Sequence, residues 1–185
     1  MTSRLFISLE IPEYIQEEII KLRQEIYGVG AERIRWEEKE KLHLTLKFLG
    51  EIDSTLESQI CSALHTVSSK YQSLHLEFSK FGLFLRSGIP SILWVGIKNN
   101  DLLLKLQRDI DNQLSRLNIK KDKRKFSAHI TILRLKGKEN MEQINNFMDY
   151  SLENYNFTAS KITLMKSQLL QKGSVYTALK SFYIR

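Results

Sequence analysis

Apolar residues recur along this chain at two spacings, one suited to helices and one to strands. Leu5 to Leu9 form a short run of strand character. Pro12 suits the first turn of a helix, where a missing N–H costs nothing. Ile15, Ile19, Leu22 and Ile26 then recur at i, i+4, i+7 and i+11, one stripe facing a core. Gly28 and Gly30 stop that helix. A second strand is predicted over Leu42 to Leu49, ended by Gly50. The helix that follows, from about Ser54, carries Leu56, Ile60, Ala63, Leu64 and Val67 on one face. Cys61 lies beside that face and reads as an inert packing residue.

The second half replays this order. Ile92 to Val95 reads as a strand, and Asn99, Asn100 and Asp101 offer caps for a helix striped by Leu103, Leu106, Ile110, Leu114 and Leu117. A strand from Phe126 to Leu135 precedes a helix with Met141, Ile144, Phe147 and Met148 facing inward. Two more strands, Lys161 to Leu170 and Val175 to Ile184, surround a turn at Lys172 and Gly173. Phe6 lies 37 residues before His43, and Trp94 lies 35 before His129. The matched halves, approximately 1–80 and 81–185, predict an α+β fold of two lobes related by a pseudo-twofold axis. No Pro- or Ser-rich linker divides them, so residues 1–185 are expected to form one domain with intertwined lobes.

The chemistry-bearing signal is a pair of H-x-T strands, His43-Leu44-Thr45-Leu46-Lys47-Phe48-Leu49-Gly50 and His129-Ile130-Thr131-Ile132-Leu133-Arg134. Residues i and i+2 of a strand share a face, roughly 6.6 Å apart. His43, Thr45 and Lys47 are therefore expected on one face, with Leu44, Leu46 and Phe48 on the core side. His129 and Thr131 point one way, Ile130 and Ile132 the other. A slip of one residue would bury the histidines and expose the core, so the register is specified. Displacement at a phosphodiester needs a base for the attacking oxygen and an acid for the leaving one, on opposite sides of phosphorus. Imidazole fills either role near neutral pH. A threonine hydroxyl beside each ring can donate to a non-bridging phosphate oxygen, where charge builds during reaction.

Composition narrows the setting. The 185 residues are 42% hydrophobic and 26% charged, a globular balance that argues against disorder. Apolar runs stay far short of the roughly 18 residues of a membrane helix, and no secretory signal is visible. One cysteine excludes an internal disulfide and a Cys-based metal site, and suggests a reducing, cytoplasmic home. Lys and Arg number 28 against 21 for Asp and Glu, a formal charge of +7 that attracts phosphate-bearing partners. The densest run, Lys120 to Lys125, reads either as a solvated loop or as a contact for a nucleic-acid backbone through Lys121, Lys123 and Arg124.

HLTLKFLG and HITILR resemble the paired motifs of the two-histidine phosphoesterases, and within them the RNA 2′,3′-cyclic phosphodiesterases, also called 2′-5′ RNA ligases. The likeness extends over nearly the whole chain, through RLFISLEIP, FGLF, ILWVGI, Ser167, Gly173 and Tyr176. It implies antiparallel sheets around a central groove. It also implies metal-independent, cofactor-free hydrolysis of a 2′,3′-cyclic phosphate RNA end to a 2′-phosphate, with reversible 2′-5′ ligation in some cases. By the same resemblance His129 activates water, His43 protonates the departing 3′ oxygen, and Thr45, Thr131 and Arg134 bind phosphate. Strict alternation puts Arg134 opposite His129, so a bulge or strand end must re-aim it. Two positions depart from the family pattern. Ala128 stands where proline is usual, and Ser91 where a basic residue is common.

Other candidates have two readings each. Lys47 meets a phosphate or ends in solvent. Phe48 belongs to the core by alternation, although edge exposure would let it stack on a base. Trp36 lines the groove or packs. His65 and His75 lack partners at metal-ligand spacing and are taken as structural or solvent-facing. The expected partner is an RNA end with a cyclic phosphate, tRNA fragments included, bound by a monomer with no membrane association. Cleavage of 2′-5′ oligoadenylates or small cyclic nucleotides, and RNA-end binding without turnover, are the competing functions.

Overall fold

The computed structural model describes residues 1–171 and 173–184. Among the described residues, twelve strands and α-helices follow one another: β1 (Thr2–Glu10), α1 (Glu13–Tyr27), β2 (His43–Asp53), α2 (Glu57–Ser68), β3 (Leu74–Arg86), β4 (Ile89–Ile97), α3 (Asp101–Ser115), β5 (His129–Arg134), α4 (Met141–Asp149), β6 (Asn156–Ala159), β7 (Lys161–Leu170) and β8 (Gly173–Tyr183). The eight strands form one antiparallel sheet in the order β6-β3-β4-β5-β2-β1-β7-β8. The motif strands β2 and β5 lie side by side at its centre, joined at Leu44 and Ile130. Outward from them, β1 and β4 are equivalent neighbours, each feeding its helix into the central strand. The lobes exchange strands as well: β3 follows α2 yet pairs with β4, and β7 follows α4 yet pairs with β1. The mixed antiparallel architecture agrees with the expected α+β class.

Several elements differ from their sequence reading. β3 and β6 complete the second lobe, and a tight turn at Ser87 and Gly88 joins β3 to β4. The strand read from Phe126 begins only at His129, and Asn100, as expected, caps α3 by accepting from the Leu103 amide. On α4 Ile144 and Phe147 are buried, but Met141 and Met148 are exposed rather than inward-facing. The Lys172 half of the final turn lies outside the described residues.

Gly50 does not end β2, which continues to Asp53. Between Leu5/Gly50 and Phe6/Phe48 the register shifts by one residue. Gly50 has φ of 76°, a backbone state that glycine adopts without side-chain strain, so the strand bulges there and runs on. A second shift falls earlier, between Ile7/Lys47 and Ser8/Thr45, leaving Leu46 as the extra residue. β5 carries the same device: Trp94 pairs with Thr131 and Leu93 with Leu133, so Ile132 is extra.

These bulges reverse the expected faces of the residues after each H-x-T. Lys47 was expected beside His43. Instead it turns into the core at 2% exposure, while Phe48 emerges at 65% exposure on the histidine face rather than packing in the core. Both corrections have one cause, the extra residue at Leu46. In β5 the equivalent bulge buries Leu133 and brings Arg134 round to the face of His129.

Candidate active site

His43 opens β2 behind a tightly held turn. Lys39 Nζ bonds Glu13 at 2.7 Å and Glu17 at 2.9 Å on α1, and Gln16 donates to the Leu42 carbonyl. The turn presents the Lys41 carbonyl, which accepts a 2.7 Å hydrogen bond from His43 Nδ1. A carbonyl only accepts, so the neutral ring carries its proton on Nδ1 and leaves Nε2 as the basic atom. The Thr45 hydroxyl lies 3.1 Å from that Nε2. His129 repeats the arrangement, its Nδ1 donating to the Ser127 carbonyl at 2.7 Å. Extending the Leu44–Ile130 antiparallel register by one residue sets His43 toward Thr131, and Thr45 toward His129. Two imidazoles and two hydroxyls thus meet across the central strand pair.

Aromatic rings wall each imidazole. Phe6 lies 5.1 Å from the His43 ring and Tyr176 lies 5.6 Å away, edge-on. Tyr176 belongs to β8 and reaches His43 across β7 and β1, which shows how strongly the sheet curls over this face. Phe84 stands 4.8 Å from His129 and Trp94 6.2 Å. A Cβ on Gly82 would come within 2.2 Å of the Trp94 ring, and one on Gly96 within 2.9 Å, so the two glycines make room for the indole, which meets the His129 ring edge-on. The Ser91 hydroxyl donates to the Phe84 carbonyl, tying down the strand that carries that ring.

Desolvation by these walls favours the neutral imidazole. Burial lowers the His43 pKa to about 4 against the opposing effect of the Lys41 carbonyl, and the positive charge of Arg134 lowers it further. Burial also lowers His129, again helped by Arg134. Arg134 therefore stands close enough to act on both rings. Its Nε bonds Glu37 Oε1 at 2.8 Å, which leaves the outer guanidinium nitrogens to face an anion. Glu37 is itself pinned: its amide donates to the Ile132 carbonyl, and its carbonyl accepts from Arg23.

The remaining candidates separate. Lys47 Nζ bonds Asp111 at 2.5 Å on α3 and the Lys120 carbonyl at 2.9 Å, so it holds a loop and meets no phosphate. Lys123 and Arg124 are exposed in the loop between α3 and β5, and Lys121 bonds Asn112. Trp36 packs: its indole donates to Ala31, and its ring meets Tyr27 and Phe147. His65 and His75 are exposed. No described helix is long and apolar enough to cross a membrane. Sequence reasoning gave no role to Phe6, Phe84 or Glu37. Two glycines within strands, Gly82 and Gly96, were the signal available for a close approach.

Comparison with known proteins bears on the family and the fold. A family model described as LigT like phosphoesterase matches in two segments, residues 9–94 and 95–176. A Methanocaldococcus jannaschii protein named RNA 2′,3′-cyclic phosphodiesterase is 33% identical over 97% of this chain and 99% of its own. An Archaeoglobus fulgidus protein of the same name is 31% identical over 97% and 99%. A Thermus thermophilus structure superposes with a TM-score of 0.82 at 23% identity, covering 98% of each chain. Escherichia coli LigT bound to 3′-AMP gives 0.79 at 24%, covering 100% of this chain and 99% of that one. On a match spanning both halves, and on relatives of nearly equal length, this chain belongs to the LigT-like phosphoesterase family.

Proposed function

We propose that this protein hydrolyses 2′,3′-cyclic phosphate ends of RNA to 2′-phosphomonoesters, with His43 and His129 as the acid–base pair. The observation that carries the reading is the convergence of two like-oriented imidazoles, each with Nε2 as its basic atom, on the central strand pair. Family membership and the names of the relatives support the substrate.

In this reading the phosphate sits between the rings, with Thr45, Thr131 and Arg134 on its non-bridging oxygens. His129 Nε2 takes a proton from water as its oxygen bonds to phosphorus. The bond from phosphorus to O3′ breaks, and His43 gives O3′ its proton. The product keeps phosphate on O2′ and gains a free 3′-hydroxyl. Burial lowers the pKa of His43, so its imidazolium, once formed, is a strong acid. In the free protein that ring is neutral, so the negative charge of the bound phosphodiester must raise its affinity for the proton.

The test is conversion of an oligoribonucleotide with a cyclic phosphate end, in the presence of EDTA. A 2′-phosphate product is expected. No turnover, or turnover abolished by chelator, overturns the proposal.

A further inference from the structure

Phe48 has no use in the chemistry described above. Its ring faces the histidine side of the sheet, yet stands apart from His43, with Phe6 between them at 6.1 Å from Phe48 and 5.1 Å from His43. Beside it opens a depression of about 450 Å³, lined on one wall by Phe48 and Leu49 of β2 and on the other by Ile119, Lys120 and Lys121 after α3. That second wall is anchored from beneath. The Lys47 side chain, 1% exposed, bonds Asp111 and the Lys120 carbonyl, so the bulge that buries Lys47 both exposes Phe48 and fixes the loop beside it. Glu51, Asp53 and Asp122 also line the space. Asp53 is taken up by Thr55 and the N-terminus, and Asp122 lies 3.9 Å from Lys47. The cations of the loop continue outward through Lys123, Arg124 and Lys125.

We propose that this depression binds the nucleotide on the 5′ side of the reacting RNA end, its base on the Phe48 ring and its backbone phosphate beside Lys120 and Lys121. The inference rests on the RNA-end reading above. A nucleoside 2′,3′-cyclic phosphate has both lower oxygens inside its ring, so the chain leaves the site only through O5′. The terminal nucleoside occupies the space next to His43. The next flat, exposed aromatic surface on that lobe is Phe48, and the densest positive charge lies just past it. An aromatic face accepts any base, and basic side chains follow the backbone, so the site selects polynucleotide ends over mononucleotides without reading sequence.

The experiment compares kcat/KM for a dinucleotide ending in a 2′,3′-cyclic phosphate with that for 2′,3′-cyclic AMP. Wild-type protein should prefer the dinucleotide. Phe48→Ala should lower the ratio about tenfold, the size expected for loss of one base–aromatic stack, whereas Phe48→Trp should preserve it. A dinucleotide with an abasic 5′ residue should reproduce the Phe48→Ala ratio on wild-type protein. Lys120→Glu with Lys121→Glu should lower the ratio further and flatten its dependence on salt. Equal ratios in wild type and Phe48→Ala, or no dinucleotide preference in wild type, overturn the subsite. Turnover of neither substrate by wild-type protein instead strikes the RNA-end reading on which it stands.

Discussion

The strands β2 and β5 are two solutions to one local problem. In both, a histidine two residues after a held carbonyl points Nε2 at the sheet centre, a threonine follows on the same face, and an extra residue re-phases what comes next. They differ at the two positions after the bulge. The His129 strand places Leu133 in the core and Arg134 on the reactive face, whereas the His43 strand buries Lys47 and exposes Phe48. In the proposed reaction, the residues on which the halves agree serve one phosphate gripped from both sides. Where the halves differ, one side presents charge and the other a flat apolar ring, an asymmetry that suits the asymmetric substrate proposed above.

The comparison breaks most severely at the shared positions. His43→Ala and His129→Ala should each lower kcat by at least about 10²-fold with folding intact, as followed by steady-state turnover and circular dichroism. A loss confined to one variant would make the halves chemically unequal. At the differing position, Lys47→Met leaves the Asp111 carboxylate facing a buried apolar neighbour. Urea unfolding should show a loss of about 3–5 kcal/mol, the scale for breaking one partner of a buried pair. Lys47→Leu combined with Asp111→Leu copies the Leu133 solution and should recover most of that loss.

Smaller effects sharpen the contrast around Arg134. Arg134→Ala should weaken inorganic phosphate binding roughly tenfold or more, measured calorimetrically, because charge-assisted hydrogen bonds to the anion are lost. Glu37→Gln should weaken it less, since it loosens the guanidinium without removing it. Protonation supplies the mildest probe. The folded His43 pKa of about 4 lies below the ordinary 6.5, so the unfolded chain binds a proton that the folded one refuses. That contribution to stability is fully present above about pH 6.5, falls as pH drops toward 4, and changes no further below it. Comparing denaturation midpoints at pH 7 and pH 5 should show the drop in wild type and a smaller one in His43→Asn.

Much of the site was legible because its signals are local. The H-x-T spacing places His and Thr on one face over two residues, a distance at which strand geometry leaves no freedom. The outcomes at Lys47 and Phe48 were not legible, because the bulge at Leu46 is a property of pairing with β1 and has no mark in the β2 sequence. Alternation carried four residues past His43, to Lys47, failed for that reason. Arg134 exposed the same problem from the other direction: its expected role on the histidine face required a bulge, and Ile132 is the extra residue there. The ring walls depend on strands brought together only by the sheet, as when Gly82 of β3 makes room for Trp94 of β4. At Gly50 a glycine that reads as a stop became a bulge, since β1 continues beside it.

Titration of both histidines by NMR, with and without inorganic phosphate, tests most directly whether the two rings serve one anion. A single phosphate per chain should raise the pKa values of His43 and His129 together, with both resonances following the same saturation curve. Movement of only one ring, or two independent curves with separate midpoints, would contradict a shared phosphorus centre.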